Sequence, residues 1–500
     1  MKHRNIMVVG TSSGAGKSMI VTGLCRTLTK DGYKVSPFKS QNMALNSFVT
    51  KLGLEMGRAQ VVQAYACGIE PEAYMNPILL KPTTDRKIQV IVNGKSIGNM
   101  SGIEYGKFKT SLKPEIMKSY NYIRENYDVS IIEGAGSPVE INIKGEDIAN
   151  MKMAEMADAP VILVADIDRG GVFASIYGTI MLMAPEERAR VKGVIINKFR
   201  GDVNILKPGL KEIEELTGVP VIGVMPYSNI DIEDEDSVTE RFKKMKNRKG
   251  INISVIKLKH ISNFTDIDAL GIVEDANIKY ITSADELGDE DIIIIPGTKN
   301  TIDDLKEIKD NGIATEIIKA SKAGKIIIGI CGGFQMMGEK IKDPYGIESE
   351  IKEIPGLSLL ELETVMEREK NTLQYEGSLI NTSGLLDGLE GEKIKGYEIH
   401  QGVTLGDERK VTADERKVTA DERVVTVVKG ENIFGTYLHG IFDNEKVTRH
   451  ILNRVREKKG MELQAQGISF DKYREQELGK LEKIFRENIE MEKIYKILGE

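Results

Sequence analysis

Short apolar runs alternate with helical patterns over the first half of the chain. Residues 6–9 are apolar and end at Gly10; a Gly/Ser-rich loop follows, and apolar residues then recur at helical spacing up to Leu28. Further apolar runs repeat this order at residues 35–38, 129–132, 161–165, 191–196 and 221–224. Continuous apolar runs are typical of parallel strands buried on both faces. The pattern therefore predicts an α/β domain built on a parallel sheet.

A second α/β series begins at residues 251–255 and continues at 292–295 and 325–330. Residues 373–380 and 424–428 favour antiparallel strands. Acidic residues 231–236 and basic residues 241–249 separate the two series and indicate a solvated connector. We therefore predict two α/β domains with a linker and a helical C-terminal tail, bounded as 1–230, 231–250 (linker), 251–446 and 447–500 (tail).

The segment 407–424 repeats the sequence DERKVTA. This period is far too short for a solenoid. We interpret the repeat as a duplicated insertion in a surface hairpin.

Composition narrows the class of protein. Hydrophobic residues make up 41% and charged residues 29% of the 500 positions, which is typical of globular proteins. The net charge of −7 argues against a general nucleic-acid binder. From the apolar runs we expect neither a membrane span nor a signal peptide. Three cysteines do not build a disulfide framework, so we expect a soluble cytoplasmic protein. A homo-oligomer is compatible with these data.

The loop after the first strand, GTSSGAGKS at residues 10–18, predicts a nucleotide site. Gly14 and Gly16 let backbone N–H groups approach phosphates, Lys17 can reach the β- and γ-phosphates, and Ser18 can hold Mg²⁺. Five residues separate Gly10 from Gly16, one more than in the common P-loop, and this spacing resembles dethiobiotin synthetase. We predict ATP and Mg²⁺ as cofactors.

Five side chains at other strand ends are candidates for the same site. Glu133 could hold Mg²⁺, directly or through water. For Lys39 we favour stabilisation of a transferring phosphoryl group over the alternative of a surface lysine. Asn197 could bind a purine edge or form a turn. Asp166 and Asp168 suit a phosphate or substrate role about as well as a turn role.

Cys331 ends the apolar run 325–330 and precedes Gly332-Gly333, which is typical of a nucleophile elbow. The helix N-terminus would favour its thiolate, and the N–H of Gly332 could stabilise an oxyanion. Gly297, in a turn after another strand, could supply a second donor. His439 is the preferred base and His400 is its rival. Cys25 and Cys67 lie in apolar helical patterns, so we assign both to the core.

The two sites, in this order, resemble those of the cobyric acid synthases of the corrinoid pathway. The most specific match is PFKSQNMALNS at residues 37–47, and further matches cover 164–173, 197–202, 296–301 and 396–400. The resemblance implies a dethiobiotin-synthetase-like ATP domain followed by a class I glutamine amidotransferase domain. It also implies amidation of the b, d, e and g carboxylates of adenosylcobyrinic acid a,c-diamide with ATP and glutamine.

Two positions depart from the patterns of these relatives. Class I amidotransferases commonly place an acid two residues after the histidine, where this chain has Ile441. A Cys–His dyad, or an acid from elsewhere such as Asp443, would then orient His439. No acid follows Lys39 where dethiobiotin synthetases have an aspartate, so the Mg²⁺ ligand set is incomplete.

Two other readings compete with this interpretation. One keeps the architecture but changes the acceptor, as in cobyrinic acid a,c-diamide synthase. The other is a P-loop ATPase that partitions or regulates and carries a degenerate glutaminase module.

Overall fold

The computed structural model describes residues 3–84, 87–232, 250–406, 412–414, 425–467 and 469–500. These residues form two compact units. The N-terminal unit comprises residues 3–44, the described part of 55–232, and 474–500, whereas the C-terminal unit comprises 45–54 and the described part of 250–473. The predicted linker and the DERKVTA repeat lie almost entirely outside the described residues. No helix among the described residues is long and apolar enough to cross a membrane.

The N-terminal unit is built on a six-stranded sheet in which every neighbouring pair is parallel. In spatial order the strands are Val221–Pro226, Val191–Phe199, Val161–Asp166, Arg4–Gly10, Val129–Glu133 and Val35–Phe38. Because all six run the same way, their carboxyl ends share one edge of the sheet, where ligands of such folds bind.

A second sheet of this unit has four strands: Gln41–Met43, Ile78–Thr84, Lys87–Val92 and Lys95–Ser101. A short strand, Glu55–Gly57, precedes the second helix. The α-helices of the unit are Lys17–Lys30, Arg58–Ala66, Gly102–Lys109, Lys113–Asn126, Met151–Ala157, Val172–Leu182, Pro185–Arg188, Val203–Thr217 and Met491–Leu498. The 3₁₀ turns are Ala73–Met75, Thr110–Leu112 and Ile141–Glu146.

The C-terminal unit also has a six-stranded sheet, with one antiparallel edge strand. Its order is Ala276–Ile281, Ile251–Ile256, Ile292–Ile295, Ile326–Ile330, Ile433–Thr436 and Thr426–Lys429, the last being antiparallel to its neighbour. A smaller sheet holds Glu353–Pro355, Lys340–Lys342, Leu362–Leu379 and Lys393–Gly406, with Thr412–Asp414 on Leu362–Leu379. The short strand Ser47–Val49 belongs to this unit.

The α-helices of the C-terminal unit are Asp268–Gly271, Thr301–Asp310, Ile313–Lys322, Gly332–Met337 and Glu445–Lys458. Its 3₁₀ turns are Phe264–Ile267, Ala284–Glu286, Gly384–Leu386 and Ile441–Asp443. The predicted two-domain α/β fold with C-terminal helices is confirmed.

The compact units divide the chain differently from the predicted boundaries at two places. The segment Leu45–Leu54 groups with the C-terminal unit. The predicted tail is divided: helix Glu445–Lys458 belongs to the C-terminal unit, whereas most of helix Phe470–Asn488 packs on the N-terminal one. Phe485 explains why helix Phe470–Asn488 packs on the N-terminal unit. Its side chain is fully buried in the core of that unit and lies against Gly23.

Candidate active sites

The predicted nucleotide-binding loop at residues 10–18, called the phosphate-type loop below, connects strand Arg4–Gly10 to helix Lys17–Lys30. Gly16 precedes the helix with φ of 92°, a left-handed conformation that favours glycine. A Cβ atom there would lie 2.0 Å from Nδ2 of Asn197, so the close approach also requires glycine. The Lys17 ammonium folds back over the loop and donates to the carbonyls of Ser12 and Gly136, each at 3.1 Å.

Two consecutive residues of strand Val191–Phe199 brace this loop. Asn197 donates through Nδ2 to the carbonyl of Ala15 at 3.0 Å. Lys198 donates to the carbonyl of Gly14 at 2.7 Å and pairs with Asp166 at 2.8 Å. Purine recognition by Asn197 stays a prediction, and it would use Oδ1 or the second hydrogen of Nδ2, because one hydrogen of Nδ2 already supports the loop.

Glu133 is the centre of the polar cluster beside the loop and is 1% exposed. Its Oε1 accepts hydrogen bonds from Ser18 Oγ and from Lys39 Nζ, both at 2.9 Å, and its Oε2 accepts one from Gln63. Burial raises the pKa of Glu133, but the charge of Lys39 and these hydrogen bonds outweigh it and lower the pKa overall. The structure thus brings Ser18, Lys39 and Glu133 together. It adds Gln63, which lies inside helix Arg58–Ala66 and belongs to no sequence motif identified above.

The oxygen atoms of this cluster suit Mg²⁺. The described residues contain no cluster of three or more His, Cys, Asp or Glu side chains able to hold a metal by themselves. Mg²⁺ in nucleotide sites commonly takes one or two protein oxygens and completes its shell with phosphates and water. The Ser18 hydroxyl and the Glu133 carboxylate fit that requirement.

Asp166 and Asp168 act in a turn and in ion pairs. Asp166 Oδ1 accepts the N–H of Asp168 at 2.8 Å, and Asp168 pairs with Arg200 at 2.8 Å. Arg200 in turn lies over the ring of Tyr227. Each of the two carboxylates therefore has a partner within the protein.

Cys331 lies between strand Ile326–Ile330 and helix Gly332–Met337, with φ of 51° and ψ of −110°. A side chain in this conformation is strained, and such strain is typical of nucleophile elbows. The turn is crowded, since a Cβ atom at Gly333 would lie 1.9 Å from the carbonyl oxygen of Ile295. Cys331 is 7% exposed, and its Sγ lies 3.8 Å from the carbonyl oxygen of Ile399.

Both predicted oxyanion donors lie beside the nucleophile. Gly332 opens the helix, where the first N–H groups have no intrahelical acceptor. A Cβ atom at Gly332 would lie 2.7 Å from Thr298 Cγ2, and one at Gly297 would lie 3.7 Å from Cys331 Cβ and 3.2 Å from His439 Cε1. The carbonyl of Gly297 accepts the N–H of Ser262 at 2.9 Å, which fixes the orientation of this loop.

His439 is buried with one ring nitrogen held by a carboxylate. Its Nδ1 lies 2.7 Å from Oδ2 of Asp266, and Asp266 Oδ1 accepts the N–H of Gly440 at 2.8 Å. The other nitrogen, Nε2, has no hydrogen-bond partner of normal geometry among the described residues, and the Cys331 thiol is nearby. Burial lowers the pKa of His439, but Asp266 and then Cys331 outweigh it and raise the pKa to about 10.

The carboxylate on His439 comes from elsewhere in the chain, as one of the two sequence alternatives expects, but it belongs to Asp266 and not to Asp443. Asp266 precedes His439 by 173 residues, so no local spacing revealed it. It lies in the 3₁₀ turn Phe264–Ile267, beyond the carboxyl end of strand Ile251–Ile256. Its position after a strand of the parallel sheet, at the edge where ligands bind, is the sequence signal that could have identified it.

His400, the alternative base, has hydrogen-bond partners at both ring nitrogens. Its Nδ1 lies 2.7 Å from the carbonyl oxygen of Gly402, and its Nε2 lies 3.1 Å from Glu398 and 3.2 Å from Asn371. The ring stacks on Tyr437 with centroids 3.7 Å apart. Because both ring nitrogens already have partners, the geometry favours His439 as the base.

Comparisons with known proteins identify the family of each half of the chain. Residues 6–238 match the family model of the CobQ/CobB/MinD/ParA nucleotide binding domain, and residues 252–447 match that of the CobB/CobQ-like glutamine amidotransferase domain. The chain is 50% identical to a cobyric acid synthase of Lachnoclostridium phytofermentans over 99% of both chains. It is 52% identical to one of Alkaliphilus metalliredigens, over 98% of this chain and 99% of the relative. A chain of the Thermotoga maritima PurLQS structure aligns with 41% of this chain and 99% of its own, at 24% identity and a TM-score of 0.33.

Proposed function

Because the chain belongs to the cobyric acid synthase family, whose members form amides in cobalamin biosynthesis using glutamine and ATP, we propose that Cys331, His439 and Asp266 hydrolyse the glutamine. The observation that supports this assignment best is the bond between His439 Nδ1 and Asp266. It leaves Nε2 as the atom that exchanges a proton with the thiol.

In this mechanism the proton resides on the imidazole before glutamine is attacked. A pKa of His439 near 10 means that the ring is a cation at neutral pH, and a cation beside Cys331 stabilises the thiolate. The thiolate attacks the amide carbon, and the N–H groups of Gly332 and Gly297 stabilise the oxyanion. His439 then protonates the leaving ammonia, and it next takes a proton from the water that hydrolyses the thioester, which releases glutamate and restores the thiolate.

In the N-terminal unit, we propose, Gly14, Gly16 and Lys17 bind the phosphates of ATP, and Lys39 neutralises charge on the γ-phosphoryl group. Ser18 and Glu133 would hold Mg²⁺, which supplies positive charge to the phosphates when it is bound. A carboxylate of the acceptor attacks the γ-phosphorus and ADP leaves. Ammonia then attacks the acyl phosphate and displaces inorganic phosphate, leaving an amide. This activation is needed because a free carboxylate is a poor electrophile.

We propose adenosylcobyrinic acid a,c-diamide as the acceptor, amidated at its b, d, e and g carboxylates. Mass spectrometry of the products formed from this compound, ATP and glutamine tests the proposal. We expect four successive amidations. No change in mass would refute it, and products amidated at a and c from the unamidated acid would favour the a,c-diamide synthase alternative. A cytoplasmic location and a homo-oligomer stay predictions.

Two substitutions separate the half-reactions. Cys331→Ala should abolish amidation with glutamine but retain amidation with added ammonia, because only the glutaminase is lost. Lys17→Ala should abolish both, because ATP no longer activates the carboxylate. A Cys331→Ala variant that used glutamine at the wild-type rate would show that the nucleophile is another residue.

A further inference from the structure

The segment Leu45–Leu54 packs on the C-terminal unit, although the chain on both sides of it belongs to the N-terminal unit. Its first three residues are also the last three of the matched motif at residues 37–47, which contains Lys39. Asn46, Ser47 and Val49 are each at most 1% exposed. The segment is therefore an integral part of the unit that carries Cys331.

Asn46 and Ser47 make a reciprocal pair of hydrogen bonds with the turn that carries Asp266. Asn46 Oδ1 accepts the N–H of Phe264 at 3.1 Å, and the Ser47 N–H donates to Asn263 Oδ1 at 3.0 Å. Asn263 has φ of 52° and begins the 3₁₀ turn Phe264–Ile267. The two bonds thus fix both the left-handed residue and the first N–H of the turn.

The same segment reaches the other end of the Asp266–His439 pair through Tyr397. The Tyr397 hydroxyl donates to the carbonyl of Ser47 at 3.1 Å, and its ring stacks on His439 at 5.2 Å with 24° between the planes. Tyr397 and His439 also exchange backbone hydrogen bonds of 3.1 and 2.9 Å. Phe48 packs edge-on against Tyr397 at 5.2 Å.

We propose that Asn46 is a positioning residue for glutamine hydrolysis, acting through the Asn263–Phe264 turn on Asp266 and hence on His439. The proposal rests on the assignment of Cys331, His439 and Asp266. It follows from geometry, because the Asp266 carboxylate fixes His439 only if its own turn is fixed. The turn has few bonds of its own, since it is a single 3₁₀ turn of four residues.

The test compares Asn46→Ala with a matched control, Asn432→Ala, in the full chain. The side chain of Asn432 also hydrogen-bonds backbone, by donating to the carbonyls of Ser321 and Lys325, but it does so away from the triad.

For Asn46→Ala we expect glutaminase kcat to fall by at least about tenfold, since small displacements of catalytic groups cost up to about 100-fold. The fall should be larger at pH 8 than at pH 6.5, because a displaced Asp266 no longer keeps His439 protonated. Ammonia-driven amidation should stay within about twofold of the wild type in both variants, and only Asn46→Ala should change the pH profile.

Tyr397→Phe keeps the test valid if Asn46→Ala does not fold. It removes the bond to Ser47 but keeps the ring on His439, so we expect a smaller loss of glutaminase kcat in the same direction. Wild-type kcat and pH profile in the variants that fold would overturn the proposal. Glutamine hydrolysis by Cys331→Ala would instead overturn the triad itself, so the two failures are distinguishable.

Discussion

Asp266→Asn isolates the contribution of the carboxylate to glutamine hydrolysis. The substitution keeps the size of the side chain and an oxygen that can accept the Gly440 N–H. It removes the negative charge 2.7 Å from His439 Nδ1. The turn should therefore keep its shape while His439 loses the interaction that holds a proton on the ring.

The expected magnitude follows from the pKa of His439. At a pKa of about 10 the ring is about 99% protonated at pH 8. Burial lowers this pKa, and Asp266 is the largest cause that raises it, ahead of Cys331. If the loss of Asp266 returns the pKa to the ordinary 6.5, about 3% of the rings stay protonated at pH 8. If the thiolate–imidazolium pair is the reactive form, a pKa of 6.5 corresponds to a rate about 30-fold lower at pH 8, or ~2 kcal/mol in activation free energy, and about fourfold lower at pH 7.

The assay is glutamate release between pH 6 and 9, with ammonia-driven amidation as the internal control. Asp443→Asn is the matched variant, because Asp443 is the acid weighed from sequence alone, and we expect its glutaminase rate to stay within about twofold of the wild type. A loss independent of pH would refute the argument from the pKa of His439. A larger effect at Asp443 than at Asp266 would refute the assignment of Asp266 itself.

Two further predictions concern the N-terminal unit. Gly16→Ala should weaken ATP binding at least about tenfold in calorimetry, because its Cβ would lie 2.0 Å from Asn197 Nδ2; Gly170→Ala, with a similar positive φ but no atom within 4 Å of the added Cβ, should not. Lys81→Met should lower the free energy of unfolding by about 3–5 kcal/mol in denaturant titrations, since it leaves Glu55 charged and buried; the ion pair is 2.6 Å long and both side chains are 1% exposed. Adding Glu55→Gln should recover most of this loss, and a single variant as stable as the wild type would contradict the reasoning.

Sequence alone could identify groups whose chemistry is local in the chain. Lys17, Ser18 and Cys331 each lie in a strand–turn–helix pattern that a few consecutive residues define, so their positions follow from the pattern. Asp266 and Gln63 could not be found this way. Their roles depend on which strands and helices are neighbours in space, and periodicity does not report that. For Asn46 even the compact unit to which it belongs could not be inferred from sequence, because the chain before and after its segment forms part of the N-terminal unit.

Both sites place a left-handed residue between a strand and a helix N-terminus, but for different physical reasons. In the phosphate-type loop the residue is Gly16, because backbone N–H groups must approach phosphate and Asn197 leaves no room for a Cβ. In the elbow the residue is Cys331, because this position must carry the nucleophile, so its positive φ costs about 1–3 kcal/mol that glycine would avoid. The crowding at Gly333 and the burial of strand Ile326–Ile330 hold the strained backbone in place. The strain fixes the direction of the thiol relative to the first N–H groups of the helix, and that direction is what formation and stabilisation of the oxyanion require.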